Sequence, residues 1–294
     1  MSIVEIVGAL RAGERSFRVL DPDLGRGLHA GETVEREGVT YVHRPWRVWI
    51  DLAERLGMRM LTPRRIDETL VEVRFEPLAR TAAERVPDVT EKYGARSAFA
   101  RISKHEDPGF VIDLAEALAR VPLPTSPRVL DLGVNTGDEL ALVLALRPEL
   151  RGAVDLVGVD HSASALQVAR ARFTGERARF IEADLARLAT LDLGRFDLVI
   201  SIGTLQSGAL DDRALLRDLV QHNLAESGSV ILGMPNCRYI DGEIEYGARV
   251  VNLREPEMGL LVKDVAFYRK YLQQHHRRVY VTGKHYLLVT ATPA

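Results

Sequence analysis

Val129-Leu130-Asp131-Leu132-Gly133-Val134-Asn135-Thr136-Gly137-Asp138-Glu139-Leu140 reads as a buried strand, a turn that holds two glycines and the start of a helix. Asp131 closes the apolar strand. Gly133 and Gly137 can take left-handed backbone, which a residue with a Cβ adopts only at a cost. The main chain of such a turn can therefore come close to a ligand. Thr136 or Asp138 is placed to cap the helix. The stretch is a candidate cofactor cradle.

Downstream, strand-like and helix-like segments alternate. The strands are Arg128 to Leu132, Val154 to Val159, Ala178 to Ile181, Phe196 to Ile200 and Ser229 to Leu232. The helices between them are Glu139 to Leu146, Ala163 to Arg172 and Asp212 to Leu224. Alternation of this kind builds a parallel sheet with helices on both faces, and near-continuous apolar strands suit a sheet covered on both sides. Asp264 to His275 is helical in period. Arg278 to Thr282 and Tyr286 to Thr290 then flank Gly283-Lys284, which predicts a closing antiparallel hairpin.

Upstream, residues 1 to 80 mix short strands (Phe17 to Leu20, Val39 to His43, Leu70 to Phe75) with a helix around Pro45 to Leu56. In that helix Trp46, Trp49, Ile50, Ala53 and Leu56 fall at helical spacing, and both tryptophans are expected in a core. Thr81 to Arg120 is mostly helical in pattern, broken at Pro87 and at Asp107-Pro108-Gly109. The proline-rich segment Val121 to Pro127 then marks a boundary. The expected organisation is an α+β accessory domain over 1–80, a helical lid or linker over 81–125 and the sheet domain over 126–294.

The chain has 294 residues, 46% of them hydrophobic and 27% charged, with a net charge of −2. No apolar run approaches the ~20 residues that span a bilayer, so no membrane partner is expected. Glu5 interrupts the apolar amino terminus and no basic leader precedes it, so a secretory signal is not expected and the cytoplasm is the expected compartment. The single cysteine, Cys237, excludes an intrachain disulfide and a cysteine-based zinc cluster. No metal is expected. The near-neutral charge supplies no whole-molecule field for nucleic acid.

A nucleoside cofactor lying over the carboxyl ends of a parallel sheet needs glycine clearance after the first strand and an acid after the second, which accepts from the ribose hydroxyls. Asp160 ends Leu156-Val-Gly-Val-Asp160 and lies 23 residues beyond Gly137, close to the ~20 that such a unit shows. Asp184 follows the third strand, where it could orient an adenine amino group. A dinucleotide would call for three glycines at fixed offsets so that the pyrophosphate touches backbone. Only Gly133 and Gly137 are present, and the acidic Asp138-Glu139 pair would repel a phosphate at the helix start.

With these residues in order, 128–292 resembles the class I S-adenosylmethionine-dependent methyltransferases. Asp131, Gly133 and Gly137 match the family's acid-x-Gly-x-Gly-x-Gly turn, with Asn135 in place of the middle glycine; Asn tolerates left-handed backbone better than most residues. Asp160 matches the ribose-binding acid, Asp184 with Leu185 the adenine-contacting pair, and Asp197 the fourth-strand motif. The resemblance implies S-adenosyl-L-methionine as cofactor, a seven-stranded, mostly parallel, doubly wound α/β sheet with an antiparallel last strand, and methyl transfer by direct displacement. The implied cofactor residues are Asp131, Gly133, Asn135, Gly137, Asp160, His161, Asp184, Leu185 and Ser201. Asp197 is read as a solvated loop-start residue and left outside the site.

The acceptor is read less directly. Ser201 to Ser207 lacks the Asn/Asp-Pro-Pro-aromatic pattern of methyltransferases that act on exocyclic base amines, while Thr204-Leu205-Gln206 resembles a short segment of the carboxy-S-adenosylmethionine synthases. After the fifth strand come Asn236, Arg238, Tyr239, Glu243 and Tyr246, which together with Gln206 are the expected substrate-pocket residues. Arg238 suits a carboxylate or phosphate. Lys92, Tyr93, Arg96, Lys104 and His105 lie where the family often carries a lid, and His105 is the one candidate base. Cys237 is read as a packed, inert thiol. The leading expectation is a small, anionic acceptor. The alternatives are RNA or tRNA, suggested by the basic run Lys263 to Lys284, and a non-catalytic cofactor-binding member of the fold. The sequence is compatible with a homodimer.

Overall fold

The computed structural model describes residues 1–79, 94, 95, 97, 101–207, 210–247 and 258–294. They fall into two compact units. One holds the described residues of Met1–Ala83 together with Arg238–Tyr246, and the other those of Glu84–Cys237 with Gly247–Ala294.

The first unit opens with α1 (Ile3–Ala12), which the sequence reading left unassigned. Ser2 and Glu5 form a capping box at its start, and Gly13, at φ 109°, ends it. β1 (Ser16–Leu20), the small hairpin β2 (Thr33–Arg36) and β3 (Val39–Val42), α2 (Trp46–Arg55), β4 (Met58–Arg65) and β5 (Leu70–Pro77) follow. β1, β5 and β4 make a three-stranded antiparallel sheet in that order. Ile6, Leu10, Phe17, Trp49, Ala53, Val73 and Phe75 form its core, and Trp46 is packed at its edge. Ile50 departs from expectation: it is 46% exposed, because the helical stripe that reaches the core runs through Trp49 and Ala53.

The second unit is built from α3 (Pro108–Arg120), β6 (Arg128–Leu132), α4 (Asp138–Leu146), β7 (Asp155–Asp160), α5 (Ala163–Arg172), β8 (Ala178–Glu182), β9 (Phe196–Ile202), α6 (Asp212–Asp218), β10 (Leu224–Pro235), the hairpin β11 (Cys237–Ile240) and β12 (Glu243–Tyr246), α7 (Met258–Gln274), β13 (Arg277–Thr282) and β14 (Tyr286–Pro293), of which the hairpin residues Arg238–Tyr246 belong to the first unit. Its sheet has seven strands in the order β13-β14-β10-β9-β6-β7-β8. β8, β7, β6, β9 and β10 are parallel, β14 runs antiparallel to β10, and β13 antiparallel to β14. The expected doubly wound α/β sheet with an antiparallel end is therefore the observed one. The chain builds outward from β6 through β7 to β8, then returns to the other side of β6 with β9. That reversal makes a topological switch point between β6 and β9, outside whose carboxyl ends sheets of this kind bind their ligands.

Two expectations are corrected here. α3 was assigned to a lid or linker, yet Phe110, Leu114, Ala117 and Leu118 are buried and Phe110 packs on Tyr286 of β14 at 4.9 Å between ring centroids. It is a covering helix of the sheet. Residues 238–246 were assigned to the sheet domain, but the hairpin joins the first unit. Arg59 of β4 donates to the Asp241 carbonyl (2.6 Å) and carboxylate (3.1 Å) and to Glu243 (3.3 Å), and the Ala79 N–H donates to the Asp241 carboxylate at 3.1 Å. Among the described residues no helix is long and apolar enough to cross a membrane.

Candidate functional site

The tip of β6 and the loop after it are tied to the tip of β7. The N–H groups of Gly133 and Val134 donate to the Val159 carbonyl at 2.8 and 3.2 Å. The Asn135 N–H donates to the Asp160 carboxylate at 2.9 Å, and the other oxygen of that carboxylate accepts from Ser162 N–H at 2.9 Å. Gly133, Asn135 and Gly137 all have left-handed φ, at 76°, 46° and 83°. Asn135 is thus the residue that replaces a glycine while keeping the glycine's conformation. At Gly137 a Cβ would come within 2.6 Å of the Phe173 ring, and at Gly133 within 2.1 Å of the Thr204 hydroxyl oxygen. Both positions exclude a side chain on space as well as on φ.

Asp131 is fully buried, and among the described residues neither carboxylate oxygen has a hydrogen-bond partner. Burial, together with the neighbouring Glu139, pushes its pKa well above the usual carboxylate value; Lys104 pulls it down, and Asp160 and Asp138 add to the rise. Lys104 sits in the short 3-10 turn Lys104–Glu106 and pairs with Glu139; the two side chains are 13% and 3% exposed. Burial works against its charge, but Glu139, Asp131 and Asp138 outweigh burial and hold the ammonium above its usual pKa. By sequence Lys104 belongs with the expected lid residues and Glu139 is a helix-start acid. The two lie far apart in sequence, so no local pattern could have joined them.

Other expectations resolve as follows. Neither Thr136 nor Asp138 caps α4 through its side chain; Gly137 holds the cap position, and Asp138 pairs with Arg172. His105 has its Nε2 at 3.1 Å from the Asp138 carbonyl and 3.3 Å from the Arg172 guanidinium. Asp160 is 6% exposed at the tip of β7, while the neighbouring His161 side chain is 44% exposed. Asp184 is exposed and caps the turn Leu185–Thr190 by accepting from Ala186 N–H; Leu185 is buried in the core. Ser201 and Thr204 both donate to the Leu132 carbonyl, at 3.2 and 3.0 Å, bracing β9 and its following loop on β6. Asp197 is no solvated loop residue: it lies within β9 and accepts from the Arg128 N–H at 2.8 Å.

Of the residues expected to line a substrate pocket, Gln206 is half-buried on the loop after β9. Asn236 directly follows β10. Its N–H donates to the His285 carbonyl, its side-chain amide donates to the Lys284 carbonyl, and its buried Oδ1 has no partner among the described residues. Arg238, Tyr239, Glu243 and Tyr246 belong to the first unit. Arg238 differs from its expected anion-binding role, since its guanidinium is held by Glu245 and the pair is largely buried. Of the basic carboxyl-terminal run, Arg277 donates to the carbonyls of Glu226 and Ala225, whereas Arg269, Lys270 and Arg278 form an exposed face. Lys92, Tyr93 and Arg96 lie outside the described residues.

The strand order, the reversal at β6 and β9, and the acid-and-glycine turn at that reversal agree with the seven-stranded, methyltransferase-type sheet that the sequence resemblance implies. Residues 129–228 match the family model described as a methyltransferase domain. The trans-aconitate 2-methyltransferase of Methylobacterium nodulans is 32% identical over 145 residues, 46% of this chain and 52% of the relative. The carboxy-S-adenosyl-L-methionine synthase of Campylobacter concisus is 36% identical over 116 residues, 39% of this chain and 46% of the relative. The chain thus spans about half the length of the curated relatives it matches. A solved S-adenosylmethionine-dependent methyltransferase from Aquifex aeolicus overlays with a TM-score of 0.47 at 14% identity, over 66% of this chain and 98% of that one.

Proposed function

We propose that this chain transfers the methyl group of S-adenosylmethionine to a small acceptor that carries carboxylate groups. The observation that carries the reading is the fully buried, unpartnered carboxylate of Asp131 beside a left-handed backbone turn that is bonded to Asp160. A buried carboxylate without a donor is costly, and a cationic group supplied by a ligand would offset that cost. Asp131 would face the ammonium at the amino-acid end of the cofactor. Asp160, whose two oxygens each accept one backbone bond, retains lone pairs for the ribose hydroxyls. The turn 133–137 would bring bare main chain against the nucleoside, with His161, Asp184 and Leu185 at its adenine end.

When bound, the cofactor supplies a methyl group on a sulfonium, open to direct displacement. A carboxylate acceptor is already deprotonated at neutral pH, so the protein has to align it rather than remove a proton. That fits a site in which His105 is engaged by Asp138 and Arg172. The trans-aconitate methyltransferases among the relatives support a polycarboxylate acceptor. Gln206 and Asn236, on the loop after β9 and at the end of β10, are the acceptor-side residues we would test first.

The test is incubation of the full chain with methyl-labelled S-adenosylmethionine and a panel of di- and tricarboxylic acids that includes trans-aconitate, read by mass spectrometry. A labelled methyl ester is the expected product. Label in added RNA and in none of the acids would overturn the acceptor class, and label in neither would remove the transferase reading.

A further inference from the structure

Lys104 is a nearly buried ammonium with no role in the cradle as described so far. Glu139 takes one of its three donors, and the field of Asp131 and Asp138 also acts on it. For stability alone, an apolar pair would serve as well as a buried ion pair, whose Coulomb attraction rarely exceeds the desolvation it costs. Asp131, meanwhile, has a carboxylate with no donor among the described residues. An ammonium with spare donors and an orphan carboxylate, both beside the same backbone turn, are complementary to a ligand that carries a carboxylate and an ammonium on one carbon.

We propose that Lys104 is a binding residue for the carboxylate of the cofactor's amino-acid end, and that Lys104 and Asp131 together clamp that zwitterion. The proposal rests on the cofactor reading above and assigns a second charged residue to it. It also gives the turn Lys104–Glu106 a function: it carries the ammonium to the start of α4, where His105 fixes it to the Asp138 carbonyl at 3.1 Å. Glu139 is then the positioning residue, holding the ammonium in place by one of its bonds.

The test compares two ligands that differ in the amino-acid portion alone. S-adenosylhomocysteine has it, and 5′-methylthioadenosine lacks it. Calorimetry on the full chain should show wild type preferring S-adenosylhomocysteine. Lys104→Met combined with Glu139→Gln removes both charges of the pair, so neither partner is left as an unpaired ion. It should weaken S-adenosylhomocysteine about tenfold or more, as loss of a charge-assisted hydrogen bond does, and leave methylthioadenosine unchanged. Glu139→Gln alone keeps the ammonium and should keep the preference. A retained preference in the double variant overturns the proposal and spares the cofactor reading. Equal weakening of both ligands makes the pair structural and likewise overturns it. Wild type that binds neither ligand overturns the cofactor reading and this proposal together.

Discussion

Asp131 is folded into surroundings that disfavour its own charge, and that sets the pH behaviour of the protein. Its neighbours are Glu139, Asp138 and Asp160, with Lys104 as the opposing charge. A carboxyl whose folded pKa is raised keeps its proton more tightly in the folded state. The stability tied to that proton is fully present below the ordinary carboxylate value and is lost as pH rises toward the folded value. Asp131→Asn mimics the protonated form and removes this loss. We expect its melting temperature to exceed that of wild type at neutral pH, with the gap closing below about pH 4. The same variant should bind S-adenosylhomocysteine more weakly. Thermal unfolding over a pH series reads the first effect, and an unchanged or lower melting temperature at neutral pH would refute it. The acid itself was legible in the sequence, because it ends an apolar strand just before a glycine; its lack of a partner was not, since Glu139 and Lys104 come to it through tertiary packing.

At the scale of the element, the turn between β6 and α4 is fixed by backbone conformation and by close packing together. Gly133→Ala would impose a left-handed φ on a residue with a Cβ, costing about 1–2 kcal/mol, and would push that Cβ into the Thr204 hydroxyl. Adding Thr204→Ala should relieve the clash and leave the backbone cost. The double variant should therefore be more stable than Gly133→Ala alone by denaturant unfolding; a double variant that is less stable would contradict the packing account. The strands and helices of this unit could be read from period and from turn residues because each repeats a local pattern over several residues. Other features could not be read. α1 is apolar over most of its length, so Ile6 and Leu10 do not stand out as a stripe, and its helix signal lies in Ser2, Glu5 and Gly13 at its ends. β10 runs longer than its apolar core, from Leu224, because Leu224 pairs with Phe196 across an irregularity in register.

For the whole molecule, the division into two units cuts across chain order. The segment Arg238–Tyr246 leaves the end of β10, joins the first unit and returns at Gly247, whose N–H closes on the Asn236 carbonyl at 2.8 Å. Nothing in a one-dimensional reading marks such an excursion, since Arg59 and Asp241 meet only in the fold. Arg59→Ala should lower the stability of the first unit by about 1 kcal/mol, the modest value expected of a partly exposed ion-pair network. Hydrogen exchange should show faster amides in β4 and β5 and unchanged amides in β6, β7 and β9; equal acceleration in both units would contradict the division. The central claim concerns the second unit alone: Asp131, the turn 133–137 and Asp160 form a receptor for S-adenosylmethionine. Its most direct test is calorimetric titration of S-adenosylhomocysteine into wild type and Asp160→Ala. The account predicts binding to wild type and a loss of about 1–3 kcal/mol in the variant; no binding to wild type, or equal affinity in both, would contradict it.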